Sequence, residues 1–146
     1  MRFGWMGVGC VAVISALLAA QAGSAHADGT PPKAMTCTFP EGTARALSKG
    51  QFKAEAQGAI TFDLDDINID EQSATLKTQR GTATVRLVRA VNAFHVLEVV
   101  TEGFLNLTTI YDKDDALGAM PAAHSRHFGV LGQPIVSQYT GQCKAK

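Results

Sequence analysis

The 146 residues carry 13 basic and 13 acidic side chains, so the formal net charge is zero and no basic field exists to hold a phosphate backbone. A nucleic-acid partner is therefore not expected. Three cysteines and one tryptophan occur, and no stretch beyond the N-terminal leader is apolar enough for a membrane.

Residues 1–27 read as a cleavable export signal. Arg2 gives a thin positive start, Val8–Ala20 is an almost unbroken apolar run, and Ala25-His26-Ala27 supplies the small-x-small cleavage pattern. The run is shorter than the roughly 20 apolar residues that span a bilayer. The expected mature protein is Asp28–Lys146 (146 less 27 leaves 119 residues), one β domain in the periplasm or beyond, with no integral membrane segment. Its charge is −1, because loss of Arg2 leaves 12 basic residues against 13 acidic ones. Cys10 leaves with the signal, and it is a poor lipid-attachment site because most of the apolar run follows it. Cys37 and Cys143 remain. In an oxidising compartment such an isolated pair is expected to form one disulfide. Closing a loop of about a hundred residues contributes on the order of 4–5 kcal/mol in the chain-entropy model. A two-thiol metal or redox site would need the close C-x-x-C spacing, which is absent.

In chain order, Met35–Phe39 and Gln51–Ala56 read as strands, with a helical turn expected at Thr43–Ser48 between them. Ala59–Ile69 is a further strand. There Ile60, Phe62 and Leu64 alternate on one parity and Ile67 and Ile69 on the other, so a β-bulge at Asp65-Asp66 would keep both sets on one face. A ladder of turn formers follows, 11 residues apart: Asp70, Gly81, Asn92, Gly103 and Asp114. Between them run Ser73–Gln79, Thr82–Val91, Ala93–Thr101 and Phe104–Tyr111, rich in the β-branched and aromatic residues that suit a pleated surface. Lys113–Gly132 reads as a long irregular stretch, and Pro134–Tyr139 as a final strand ending beside Cys143. The fold class is all-β: an antiparallel up-and-down meander of about eight strands, barrel or sandwich, closed by one disulfide. In a barrel, Cys37–Cys143 would fasten the seam between first and last strands.

Several strands are apolar on both parities. In Ala93–Val100, Phe94, Val96 and Val100 lie on one side, Leu97 and Val99 on the other. Either the long loop or a partner covers the outer face, or the interior is lined for an apolar ligand with a second patch outside.

The densest polar group is Ala123-His124-Ser125-Arg126-His127. His124 and His127 are three apart, which suits two ligands of one metal on a helical turn, and His95 is a candidate third ligand placed inside by its strand. Without a metal, His124, Arg126 and His127 would hydrogen-bond the loop onto the barrel. Ser125 and Ser137, with Asp112, His124 or His127, are conceivable parts of a nucleophilic site, but no G-x-S-x-G elbow occurs. Asp63, Asp65, Asp66, Asp70 and Glu71 read as a solvated strand face, since they lack the spacing of a calcium loop. Asn106-Leu107-Thr108 matches an N-glycosylation sequon within an expected strand. Trp5 leaves with the signal, so no tryptophan remains as a sugar-stacking platform.

The closing stretch, His124-Ser125-Arg126-His127, then Gly132-x-Pro134 and Ser137-Gln138-Tyr139-x-Gly141-x-Cys143, resembles the end of small exported bacterial proteins of uncharacterised function. Leu105–Tyr111 fits the same likeness, which covers mainly the last forty or so residues. The resemblance implies export to the periplasm of a Gram-negative-type cell and no particular activity.

The leading expectation is a non-enzymatic periplasmic small-ligand-binding or accessory β-barrel. Its candidate ligand-orienting groups are His95, His124, Arg126 and His127, and no cofactor is required. The alternatives are a metal-dependent or hydrolytic enzyme using the same histidines (His95, His124 and His127 as metal ligands), or an envelope interaction or inhibitor module using a sheet face or edge. The expected partner is accordingly a small apolar ligand or an envelope protein.

Overall fold

The structure, a computed structural model, describes residues 31–100, 103–129 and 133–146; the expected signal segment lies outside the described residues. Among the described residues nine strands follow one another: β1 (Met35–Ser48), β2 (Gln51–Gln57), β3 (Ile60–Asn68), β4 (Ser73–Thr78), β5 (Gly81–Arg89), β6 (Ala93–Val100), β7 (Phe104–Tyr111), β8 (Met120–Phe128) and β9 (Ile135–Ala145). All pairings are antiparallel, β3 to β9 pair in sequence order, and β9 closes onto β1. Eight strands thus form a closed up-and-down barrel, and β2 is an extra strand outside the ring. No helix is long and apolar enough to cross a membrane among the described residues.

The turn ladder explains the meander. Asp70, Asn92 and Gly103 occupy connections, and Gly81 closes the β4–β5 hairpin opposite Thr78. At the β3–β4 turn, the Asn68 side chain accepts hydrogen bonds from the Asp70 and Glu71 N–H groups, a local alternative to ladder bonding that favours a turn. The bulge falls where the parity shift requires it. Pairing of β3 with β4 shifts register between Asp65 and Asn68, and Asp66 takes a left-handed φ of 52°. Ile67 is thereby buried with Phe62 and Leu64, and Ile69 packs against the same core.

Two expectations are corrected. Thr43–Ser48 is not a helical turn but the outer half of β1, because it has hydrogen-bonding neighbours on both sides, β2 and β9. Ala, Arg and Leu are good helix formers, but their intrinsic preference does not outweigh two ladders. Nor is 113–132 irregular throughout: Met120–Phe128 is β8, paired along its length with β9 and over seven positions with β7. Its Ala, His, Ser and Arg residues have little intrinsic strand preference, so the neighbours decide its conformation.

Cys37 and Cys143 are direct register partners across the β1–β9 seam and form the disulfide, with Cα atoms 4.0 Å apart. The seam is tight on both sides. A Cβ on Gly141 would strike the backbone of Thr38 and Phe39, and one on Gly42 would strike the Tyr139 ring. Around the bond, Met35, Phe39, Leu64, Leu87 and Ile110 are fully buried. This apolar, closely packed half is the lower end of the barrel. The chain end is tied to it from outside: Lys146 Nζ lies 3.0 Å from Asp63 and 2.9 Å from Asp65, and Lys77 lies 2.8 Å from Asp65. The Asp63 carboxyl is held below its ordinary range by the Thr36 hydroxyl and then Lys146, and that of Asp65 by Lys77 and then Lys146.

Candidate functional site

Strand alternation decides which side chains enter the lumen. On β6 these are Phe94, Val96 and Glu98; on β7 Phe104, Asn106, Thr108 and Ile110; on β8 Ala122, His124, Arg126 and Phe128. Register then stacks them in rows. Glu98, Asn106, Arg126 and Ser137 are successive cross-strand partners, and beneath them lie Val96, Thr108, His124 and Tyr139. The upper lumen is hollow, a cavity of about 520 Å³. Ile60, Phe62 and Leu76 form an apolar wall on β3 and β4, facing Glu98, Asn106, Thr108, His124 and Arg126 on β6 to β8.

The barrel wall is incomplete at this end. Pairing of β3 with β4 stops at Asp63↔Lys77, and pairing of β5 with β6 stops at Arg86↔Leu97. Among the described residues the tip of the β4–β5 hairpin therefore has no ladder pairing with either flanking strand, and its Thr78, Gln79 and Arg80 line the cavity.

His124 sits at the cavity floor, 7% exposed, with its ring 5.6 Å from Phe39, 5.6 Å from Phe62 and 5.8 Å from Tyr139 between centroids. Its Nδ1 lies 2.8 Å from the Thr108 hydroxyl. Burial among aromatic rings, and then the Arg126 charge, lower its pKa to about 4, so the imidazole is neutral at neutral pH. Higher up, Asn106 Nδ2 donates to Glu98 Oε2 at 2.6 Å, while Asn106 Oδ1 is buried without a partner among the described residues. The Arg126 guanidinium lies over the Phe128 ring, 5.1 Å from its centroid, and Phe128 meets Phe104 edge to face at 4.4 Å. The ion pairs of the described residues use Lys77, Arg89 and Lys146, not Arg126.

No protein-family model, curated protein or solved structure matches this chain. The site is therefore read from its own chemistry.

The histidines singled out in the sequence do not meet. His124 and Arg126 face the lumen. His127 alternates with them and is exposed outside, and His95 lies on the outer face, its Nδ1 3.0 Å from the Thr109 hydroxyl. The expectation that His95 is interior fails because Phe94, Val96 and Glu98 hold the inward parity of β6. Among the described residues no cluster of three metal-ligating side chains occurs. Ser125 alternates outward with His127, whereas Asp112 is engaged near Arg89 at 3.9 Å. Ser125 and Asp112 therefore do not join His124, whereas Ser137 is buried in the lumen in the row above it; the hydrogen bond of the His124 ring among the described residues is to Thr108.

Glu98, Asn106 and Thr108 are the site residues that sequence reasoning missed. The available signal was polarity on an apolar parity: Glu98 shares the face of Phe94 and Val96, and Asn106 and Thr108 share that of Ile110. Asn106, the first residue of the sequon match, is turned into the lumen against Glu98. A second hollow of about 500 Å³ lies at the lower end beside Pro32, Arg89 and Met120. Its Arg89 lies 5.5 Å from the Phe94 ring and 3.9 Å from Asp112, while Lys113 and Lys144 also line it.

Proposed function

We propose that the chain is an exported, non-enzymatic binding protein whose upper lumen takes a small molecule with an apolar body and a few polar groups. The observation that carries this reading is the two-faced cavity, in which Ile60, Phe62 and Leu76 oppose Glu98, Asn106, His124 and Arg126. Small-molecule sites are typically concave, mostly apolar and furnished with a few orienting polar groups, and barrel mouths are a common place for them. Arg126 rests on an aromatic ring rather than on a carboxylate, which leaves its donors for a ligand acceptor. His124 is better suited to shape and polarity than to catalysis, because a base of pKa about 4 is far from the working range of a general base at neutral pH. Export is supported by the signal-like residues 1–27 and by the disulfide, which persists in oxidising compartments.

The test is native mass spectrometry of the purified protein against its denatured mass, followed by titration with the apolar dye anilinonaphthalene sulfonate. Bound mass lost on denaturation, or dye fluorescence that Ile60→Trp abolishes by filling the cavity, supports the reading. A bare native mass together with dye fluorescence indifferent to Ile60→Trp rejects it. N-terminal sequencing of the periplasmic product should begin at Asp28; retention of residues 1–27 would reject export by cleavage.

A further inference from the structure

The β1–β2 hairpin is the part of the molecule that the ligand reading does not use. Lys49 and Gly50, both left-handed with φ of 52° and 77°, make a two-residue turn between the paired residues Ser48 and Gln51. Such a hairpin fixes which backbone groups are spent. Gln51 pairs with Ser48 in the hydrogen-bonded manner, so Gln51, Lys53, Glu55 and Gln57 direct their N–H and C=O groups toward β1. Phe52, Ala54 and Ala56 direct theirs away from it. Among the described residues β2 pairs with β1 alone, Gln51–Ala56 are all exposed, and Phe52 is 52% exposed. An unpaired strand edge of this kind is a template for another strand.

The sequence of the edge names its occupant. We propose that β2 pairs with β2 of a second copy of this chain, antiparallel about a two-fold axis at Ala54. In that register Ala54 faces Ala54, Phe52 faces Ala56, Lys53 faces Glu55 and Gln51 faces Gln57, each twice by symmetry. The register agrees with the backbone, since the outward-directed residues Phe52, Ala54 and Ala56 meet one another. Three pairs then exchange six hydrogen bonds. Lys53 and Glu55 fall in the non-hydrogen-bonded pairs, where cross-strand side chains stand closest. On the opposite face Phe52 gains cover from the partner's Ala56. A lysine in the middle of an edge strand normally blunts it against foreign strands. Here the acidic residue two positions on makes the edge repel most sequences but accept its own. The contact joins two barrels through a continuous sheet. Seven residues a side make a small interface, so the dimer forms reversibly with concentration.

Sedimentation velocity of the full chain over a concentration series up to millimolar tests the proposal. Wild type should shift from monomer to dimer. Lys53→Glu and Glu55→Lys should each weaken the dimer about tenfold or more, because like charges face each other at both symmetry-related pairs. Mixing the two variants should restore dimers, since each supplies the charge the other lacks, and the double exchange K53E/E55K should restore self-association. Ala54→Pro should abolish it without disturbing β1, because the lost N–H faces outward. Circular dichroism confirms that each variant is folded. A wild-type chain that stays monomeric throughout overturns the proposal, and so does a dimer indifferent to Lys53→Glu and Ala54→Pro.

Discussion

The two ends of the barrel are built from the same strands and the same alternation, and each borders a hollow, yet the inward side chains of one are apolar and closely packed while those of the other are polar and line its cavity. At the lower end the inward positions are Met35, Cys37, Phe39, Leu64, Leu87, Ile110 and Cys143, all fully buried. At the upper end they are Glu98, Asn106, Arg126 and the aromatic rim of Phe104 and Phe128, around a cavity of about 520 Å³. The ladders differ in step: β1–β9 pairing runs the length of the seam, whereas β3–β4 and β5–β6 pairing stops before the upper end. One barrel thus separates a stabilising floor from a mouth that is free to carry polar groups.

Removing the seam bond should produce the largest loss. Cys37→Ser with Cys143→Ser should cost on the order of 4–5 kcal/mol if the bond acts by restricting the unfolded chain, read as a lowered midpoint in urea. Next, the two ends should respond differently to the same truncation. Leu64→Ala, in the floor, should cost about 2–5 kcal/mol, and Leu76→Ala at the cavity wall should cost less because its side chain already borders open space. Equal losses at the two positions would abolish the distinction between floor and mouth.

Acid should act through the cavity floor. The His124 pKa is about 4 in the folded protein against an ordinary value of 6.5, so the unfolded chain binds the proton first. Stability contributed by the neutral imidazole is intact above pH 6.5, falls as the pH drops from there, and is lost by about pH 4, a change of about 3 kcal/mol. His124→Phe should flatten this part of the pH–stability curve. Asp63 and Asp65, whose pKa values are lowered, lose their contribution further into acid, so they do not imitate the effect between pH 6.5 and 4. The smallest stability effect is expected at the mouth: Arg126→Met should change stability by about 0.5 kcal/mol or less while altering binding of the dye. A large loss of stability there would make Arg126 part of the scaffold.

Much of this architecture was legible in the chain. Turn formers 11 residues apart fixed the hairpins from β3 to β7, and the shifted parity after Leu64 located the bulge at Asp66. The two cysteines that follow the signal-like leader gave the seam. Legibility failed where neighbouring strands override a local preference or supply one that is lacking. Ala44 to Leu47 lean toward helix, and Ala122 to Arg126 lean toward nothing in particular, yet both segments lie between strands whose unpaired backbone groups they satisfy. The placement of the histidines failed for a related reason. Both parities of β6 are apolar, so the sequence could not show that Phe94 and Val96 point inward and His95, Leu97 and Val99 outward. Val99, 78% exposed and paired directly with Leu105, remains an apolar spot on the outer surface.

By itself, then, the sequence determined the class of fold, most of its hairpins and its covalent closure, because alternation, turn chemistry and cysteine pairing are local or countable properties. Tertiary structure decided the closure into a barrel, the ninth strand outside the ring, and the meeting of Glu98, Asn106, Thr108, His124 and Arg126 in one lumen. Those outcomes depend on inter-strand register and on which face becomes the inside, and both are set only when distant strands bond to one another.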